Sequence, residues 1–263
     1  MWRTYFQNPN TSHNQKNKLI VKFQSIDHIL TKSLKKSDSF AAMTNNKPKA
    51  FLFDLNGTMI NDMVFHNHAW HNILTQDLGA SISFEAVKKQ MYGKNQDLLE
   101  RVFGVGHFSQ EQIDQISIEK EHRYQAAYKK HLMLIDGLGA FLEKAKQSDI
   151  QMAIGSAAIP FNINFVLDNL NIRHYFKAIV SAEDVANSKP DPETFTKGAE
   201  ILGINAADCI VFEDAPKGVE AAERAGMRCV ALTTMHTKEE FGAYNNIIAF
   251  IGDYTDPVLQ DLF

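Results

Sequence analysis

The chain has 263 residues, 44% hydrophobic and 22% charged, the balance of a globular protein with enough length for a sizeable core and an appended subdomain. Its formal charge of -4 conceals an asymmetry, because residues 1–42 carry seven Lys or Arg against two acidic residues; the acidic remainder argues against nucleic acid as the main partner. Cys209 and Cys229, each beside an apolar run, are too few for a disulfide framework or a cysteine-rich metal site, and no apolar run is long enough to suggest a membrane partner.

In chain order, residues 1–46 are rich in Asn, Lys, Ser and Gln, with a weakly amphipathic stretch from Leu19 to Leu34. They read as a poorly ordered extension, or as an over-extended start ahead of Met43. Arg3 is the only arginine in this stretch, unlike an organelle leader, and the compact apolar core of a secretory signal is missing, so a cytoplasmic protein is expected.

From Ala50 onward, short apolar runs alternate with amphipathic helical stretches, the pattern of a parallel sheet flanked by helices. Strands are predicted at 50–55, 151–156, 178–183, 209–214 and 228–233, with 247–252 closing an edge. Helices are predicted between them at 139–147, 160–170, 192–202 and 215–226, the last ending in Gly226. The long interval between the first two strands reads as helices throughout, including stretches at 83–93, 95–104 and 109–130 with polar faces. The expected architecture is an α/β doubly wound, Rossmann-like core at 47–61 and 136–263, interrupted by a helical cap at 62–135. Ligands of such sheets sit beyond the carboxyl ends of the strands, so a cap leaving the first strand would overhang the site as a lid.

The strand ends carry the chemistry. Asp54 ends the first strand, and Leu55-Asn56-Gly57-Thr58 turns sharply after it, offering backbone N–H groups to an anion. The second strand ends in Gly155-Ser156, whose hydroxyl and neighbouring N–H suit phosphate oxygens. After the third comes Lys189-Pro190-Asp191-Pro192, a loop stiffened by two prolines that can aim a lysine at the same crevice. The fourth ends in Glu213-Asp214, a costly pair to bury unless a cation is bound. Magnesium would suit Asp54, the backbone carbonyl of Asn56 and Asp214.

The strings FDLNGT (53–58), IGSAA (154–158), SKPDPETF (188–195) and VFEDAPKGVEAAERAGM (211–227) resemble the four motifs of haloacid dehalogenase-type phosphatases. The placement of the helical insertion resembles the beta-phosphoglucomutase and phosphoglycolate phosphatase branch. That resemblance implies an aspartyl-phosphate on Asp54, a phosphoryl group held by Ser156, Ala157, Gly57, Thr58 and Lys189, and Mg2+ positioned by Asp54, Asn56, Glu213 and Asp214. It further implies a small phosphorylated metabolite as partner, a sugar phosphate foremost, and a monomer or weak dimer.

One position departs from the family. Two residues after the nucleophile the family usually has an acid/base Asp, and this chain has Asn56. General acid–base catalysis is worth ~10²–10⁴-fold, so hydrolysis is threatened unless another group moves the proton. Three readings follow. In the first, His66, His68 or water takes over; His66 resembles a cap-proximal histidine of beta-phosphoglucomutases. In the second, Lys94 forms a Schiff base, as in phosphonoacetaldehyde hydrolases, or contacts the substrate from a specificity loop. In the third, the protein binds a phosphate ligand and has lost turnover.

Overall fold

The computed structural model describes residues 47–263. The extension expected at 1–46 lies outside them. Six strands form one sheet: β1 (Ala50–Phe53), β2 (Gln151–Gly155), β3 (Ala178–Val180), β4 (Cys209–Glu213), β5 (Arg228–Leu232) and β6 (Ile247–Ile251). All neighbouring pairs are parallel, in the order β3-β2-β1-β4-β5-β6. Phe53 of β1 lies level with Ile154 of β2 and Phe212 of β4, which brings Asp54, Ser156 and Asp214 to one edge. The direction of winding reverses between β1 and β4, where doubly wound sheets form their ligand crevice.

Strand alternation sorts β1 between two cores. Phe51 and Phe53 face one layer with Phe141, Val166 and Phe212, while Ala50 and Leu52 face the other with Phe195, Val211 and Val219. Both faces are covered, so the central strands are apolar at successive positions instead of alternating. The covering helices are α5 (Leu138–Gln147) and α6 (Pro160–Asn169) on the first face, and α7 (Glu193–Leu202) and α8 (Pro216–Arg224) on the second. Cys209 and Cys229 are free thiols buried in the second layer.

Between β1 and β2 stand α1 (Met63–Asn72), continued by a π-helical turn at Ile73–Asp77, then α2 (Phe84–Lys88), α3 (Asn95–Phe103) and α4 (Gln110–Tyr128). They share an apolar cluster of their own, with Trp70, Leu74, Val87, Leu98 and Ile113 at its centre. The helix read at 83–93 is shorter than expected. It begins at a Ser83 hydroxyl that accepts the Ala86 N–H, and the chain leaves helical geometry well before Gly93, whose φ is 78°. The third strand is also shorter, because the N–H of Ser181 turns to the Asp184 carboxylate at 2.8 Å and leaves the ladder. Among the described residues no helix is long and apolar enough to cross a membrane.

Candidate active site

The ends of β1, β2 and β4, the loop after β3, and the helical insertion enclose a cavity of about 830 Å³, counted with its mouth. A cavity of that size holds a small metabolite.

Asp54 lies on the cavity wall. Its N–H donates to the Phe212 carbonyl at 3.0 Å, extending the ladder by one residue and fixing the side chain. The Lys189 ammonium donates to Asp54 Oδ1 at 2.6 Å and to Glu213 Oε1 at 2.8 Å. Burial pushes the Asp54 carboxyl up to about 7, with Lys189 opposing and Glu213 adding to the shift. Burial alone would depress Lys189, but the carboxylates of Asp54 and Glu213 hold it above its ordinary value, so it stays an ammonium.

Glu213 is fully engaged: Oε1 accepts from Lys189 and Oε2 from the Ala215 N–H at 2.8 Å. It anchors Lys189 through Oε1 and the start of the following helix through Oε2. Gly218 makes room for it, since a Cβ there would stand 1.7 Å from Glu213 Oε1. Asp214 accepts the Thr58 hydroxyl at 3.0 Å. Its carboxyl is raised well above the ordinary range, first by burial and then by Glu213 and Asp54.

Magnesium fits this chemistry. Asp54, Glu213 and Asp214 are three buried carboxyls around one ammonium, so ionising all three leaves two negative charges that call for a cation. Among the described residues no three His, Cys, Asp or Glu side chains form a ready-made metal cage. Magnesium does not need one, since it binds through one or two carboxylates, carbonyl oxygen and retained water.

Gly57 and Thr58 do not line the cavity, contrary to expectation. The Gly57 N–H donates to the Ile60 carbonyl at 2.8 Å, and the fully buried Thr58 spends its hydroxyl on Asp214. Glycine is required at 57 for another reason: φ is 82°, and a Cβ would stand 2.1 Å from Asp214 Oδ2. Ser156 and Ala157 do line the cavity. The Ser156 N–H is taken by the Val180 carbonyl and its Oγ accepts the Ala158 N–H at 3.1 Å, which leaves the hydroxyl proton to donate.

Lys94 lines the cavity, but its ammonium donates to the carbonyls of Val185 at 2.7 Å and Ala186 at 3.3 Å. Together with the Ser188 hydroxyl on Asp97 at 2.9 Å, it ties the insertion to the loop after β3. His68 is exposed, packs against the Phe84 ring and takes no part in the cavity, which removes it as a proton carrier. His66 is buried on the cavity wall.

A buried polar network surrounds His66. Asp62 Oδ2 accepts from the Asn56 amide and from the Tyr124 hydroxyl, each at 2.6 Å, and lies 3.2 Å from His66 Nε2. Burial and then Asp62 hold the Tyr124 phenol well above its usual range, so it donates. His66 Nδ1 lies 3.1 Å from the Lys120 ammonium, and Nε2 lies 3.1 Å from the Asn56 amide nitrogen and 3.2 Å from Asp62 Oδ2. Lys120 also pairs with Glu121. The imidazole stacks on Tyr124 at 3.7 Å between centroids.

Asp62, Lys120, Glu121, Trp70 and Tyr124 were not identified from the sequence. Asp62 occupies the N-cap position of α1 and reads as a cap, yet its side chain makes no capping bond. Lys120 and Glu121 sit in a charged run of α4 that reads as a solvated face, but they are 3% and 2% exposed because α4 packs on α1.

A model of the haloacid dehalogenase-like hydrolase family matches residues 51–232. The chain belongs to that family. It is 31% identical to a beta-phosphoglucomutase of Bacillus subtilis over 204 residues, covering 70% of this chain and 83% of that protein. It is 29% identical to a fructose-1-phosphate phosphatase of Escherichia coli over 184 residues, covering 68% and 93%. A solved beta-phosphoglucomutase from Clostridium difficile aligns with TM-score 0.70 and 25% identity over 82% of this chain and 97% of its own. As a haloacid dehalogenase-like hydrolase, the chain is an enzyme of the phosphatase and phosphomutase type, whose relatives act on small phosphorylated compounds.

Proposed function

We propose that this haloacid dehalogenase-like hydrolase transfers the phosphoryl group of a small phosphorylated metabolite, a sugar phosphate foremost, through an aspartyl-phosphate on Asp54. The observation that carries the reading is Asp54 itself, buried on the cavity wall with Oδ1 held by Lys189 and Oδ2 without a donor among the described residues. Oδ2 attacks phosphorus, the phosphorus–oxygen bond to the leaving group breaks, and the leaving oxygen takes up a proton. Water or a second hydroxyl then attacks the aspartyl-phosphate and restores the carboxylate. Lys189 offsets the repulsion between anionic ester and carboxylate, and the Ser156 hydroxyl orients a phosphoryl oxygen. Asp54, the Asn56 carbonyl and Asp214 would hold Mg2+, which supplies charge neutralisation during transfer.

Asn56 cannot supply the proton; it comes from water in the cavity, with His66, 3.1 Å from that amide, as the side chain placed to exchange it. The Lys94 Schiff-base reading loses support, since that ammonium already serves two carbonyls. A phosphate-ligand binder with little turnover is the second reading, favoured by the amide at 56. The proposal extends to a monomer or weak dimer acting in the cytoplasm, the former testable by gel filtration.

Phosphate release from a panel of phosphate esters, with and without Mg2+, tests the central claim. Asp54→Asn should abolish magnesium-dependent release, a loss of roughly 10³-fold or more. Unchanged turnover in that variant would overturn the covalent route. Ligand binding by wild type with no release from any ester would favour the second reading.

A further inference from the structure

The helical insertion holds the loop that delivers Lys189. That loop, between β3 and α7, is exposed at Glu183, Asp184, Ala186 and Asn187, so polar contacts more than packing fix its course. The core supplies an anchor in Glu193, whose Oε2 accepts the N–H groups of Ala186 at 2.9 Å and Asn187 at 3.0 Å. Between that anchor and Lys189 stands Ser188, and its hydroxyl donates out of the core to Asp97 Oδ2 on α3 at 2.9 Å. The same oxygen accepts the Lys94 N–H at 2.7 Å, and the Lys94 ammonium returns to the loop at the carbonyls of Val185 and Ala186. Gly93 leaves room for this arrangement, since a Cβ there would stand 2.5 Å from Asp97 Oδ2.

These bonds from the insertion end one residue short of the cation that meets the nucleophile, for Lys189 sets its ammonium 2.6 Å from Asp54 Oδ1. Ser188 and Asp97 do not line the cavity, and the Lys94 ammonium is turned to the loop, so their effect on a substrate passes through Lys189. Resting on the phosphoryl-transfer reading above, we propose that Ser188, Asp97 and Lys94 are positioning residues for Lys189: the insertion takes part in the transfer by holding a core cation against Asp54, besides covering the cavity. Neutralisation of a transferring phosphoryl group depends on where the cation stands, and a misplacement of about 1 Å can cost ~10²-fold.

Two measurements on the full-length protein with Mg2+ test this. The first is the nitrogen NMR signal of the Lys189 ammonium in isotope-labelled protein, assigned by its loss in Lys189→Arg. A buried ammonium between two carboxylates exchanges its protons slowly, so the wild type should show the signal; Ser188→Ala and Lys94→Met should shift or broaden it, and Ser188→Thr should restore it. The second is steady-state phosphate release from the fastest ester of the panel above, which includes D-fructose 1-phosphate and p-nitrophenyl phosphate. Ser188→Ala, which removes one oxygen outside the cavity, should lower kcat about tenfold or more with KM within about twofold, and Lys94→Met should lower kcat likewise. Ser188→Thr should recover most of the loss. A rise in KM alone is what mere closure of the cavity predicts. An unchanged kcat or an unmoved Lys189 signal in either variant, or no Lys189 signal in the wild type, would overturn the proposal. Absence of release from every ester by the wild type refutes the transfer reading instead, and the Lys189 signal then decides the positioning alone.

Discussion

The Asn56 amide donates to Oδ2 of Asp62 across 2.6 Å, so the carboxylate missing from the usual acid/base position stands six residues later, in contact with the residue that replaced it. The two positions form a unit, and restoring one alone has a cost. Asn56→Asp removes the donor and sets two carboxylates together in a buried place, where Asp62 Oδ1 already lacks a partner. The single variant should lose roughly 1–3 kcal/mol of stability. The exchange Asn56→Asp with Asp62→Asn should recover most of that, and should raise phosphate release above both the wild type and the single variant, by up to ~10²–10⁴-fold. Thermal melts and phosphate release on the three proteins test the coupling; a single variant as stable and active as the double would refute it.

Lys189 is the counterion of two buried carboxylates. Lys189→Ala should therefore destabilise the fold by ~3–5 kcal/mol, beyond an ordinary buried truncation, because Asp54 and Glu213 are left without their cation. Phosphate release should vanish with it. Urea denaturation compared with an exposed-lysine control such as Lys49→Ala gives the difference.

Gly218 carries a requirement set by a neighbouring strand. Gly218→Ala puts a methyl group where Glu213 Oε1 now lies, at 1.7 Å, so the carboxylate must move and Lys189 with it. A stability loss of about 1–3 kcal/mol and a fall in turnover of roughly 10²-fold are expected. If turnover holds while stability falls, Glu213 does not position Lys189.

Protonation of the carboxylate cluster should be visible in the metal-free protein. Asp54 is raised to about 7, chiefly by burial, so between pH of about 4 and about 7 the folded chain binds more protons than the unfolded one. The contribution of this group to stability is thus present at low pH and lost as pH rises through that window. Asp214 is shifted in the same direction. Magnesium favours the deprotonated carboxylates, so the rise in melting temperature on adding Mg2+ should grow from about pH 5 to about pH 8. Melts in EDTA and in Mg2+ across this range test the sign.

Lys94 should not be trapped by borohydride in the presence of phosphonoacetaldehyde, because its ammonium serves the Val185 and Ala186 carbonyls. Mass spectrometry of the treated protein reads this directly, and an adduct at Lys94 would reinstate the Schiff-base route.

The core architecture was legible in the sequence because its signals are local. Apolar runs of strand length, helices with one apolar face and turns after each strand are properties of adjacent residues, and a parallel sheet aligns their carboxyl ends. Asp54, Ser156, Lys189, Glu213 and Asp214 could therefore be assigned to one end of the sheet before any contact was known. Which way each side chain turns there was not legible. Glu213 faces Lys189, Thr58 faces Asp214, and Lys94 faces a core loop, because each partner lies across the fold and burial makes an unpaired polar group costly. The same holds for Asp62, Lys120 and Glu121. In sequence they have the form of a helix cap and a solvated charged face, and only the packing of α4 on α1 and on the core removes them from water. The placement of Asp54 and its strand-end neighbours was thus determined by local pattern. The network that surrounds Asn56 was decided by tertiary packing, because exclusion from solvent is a property of the assembled layers and not of any one segment.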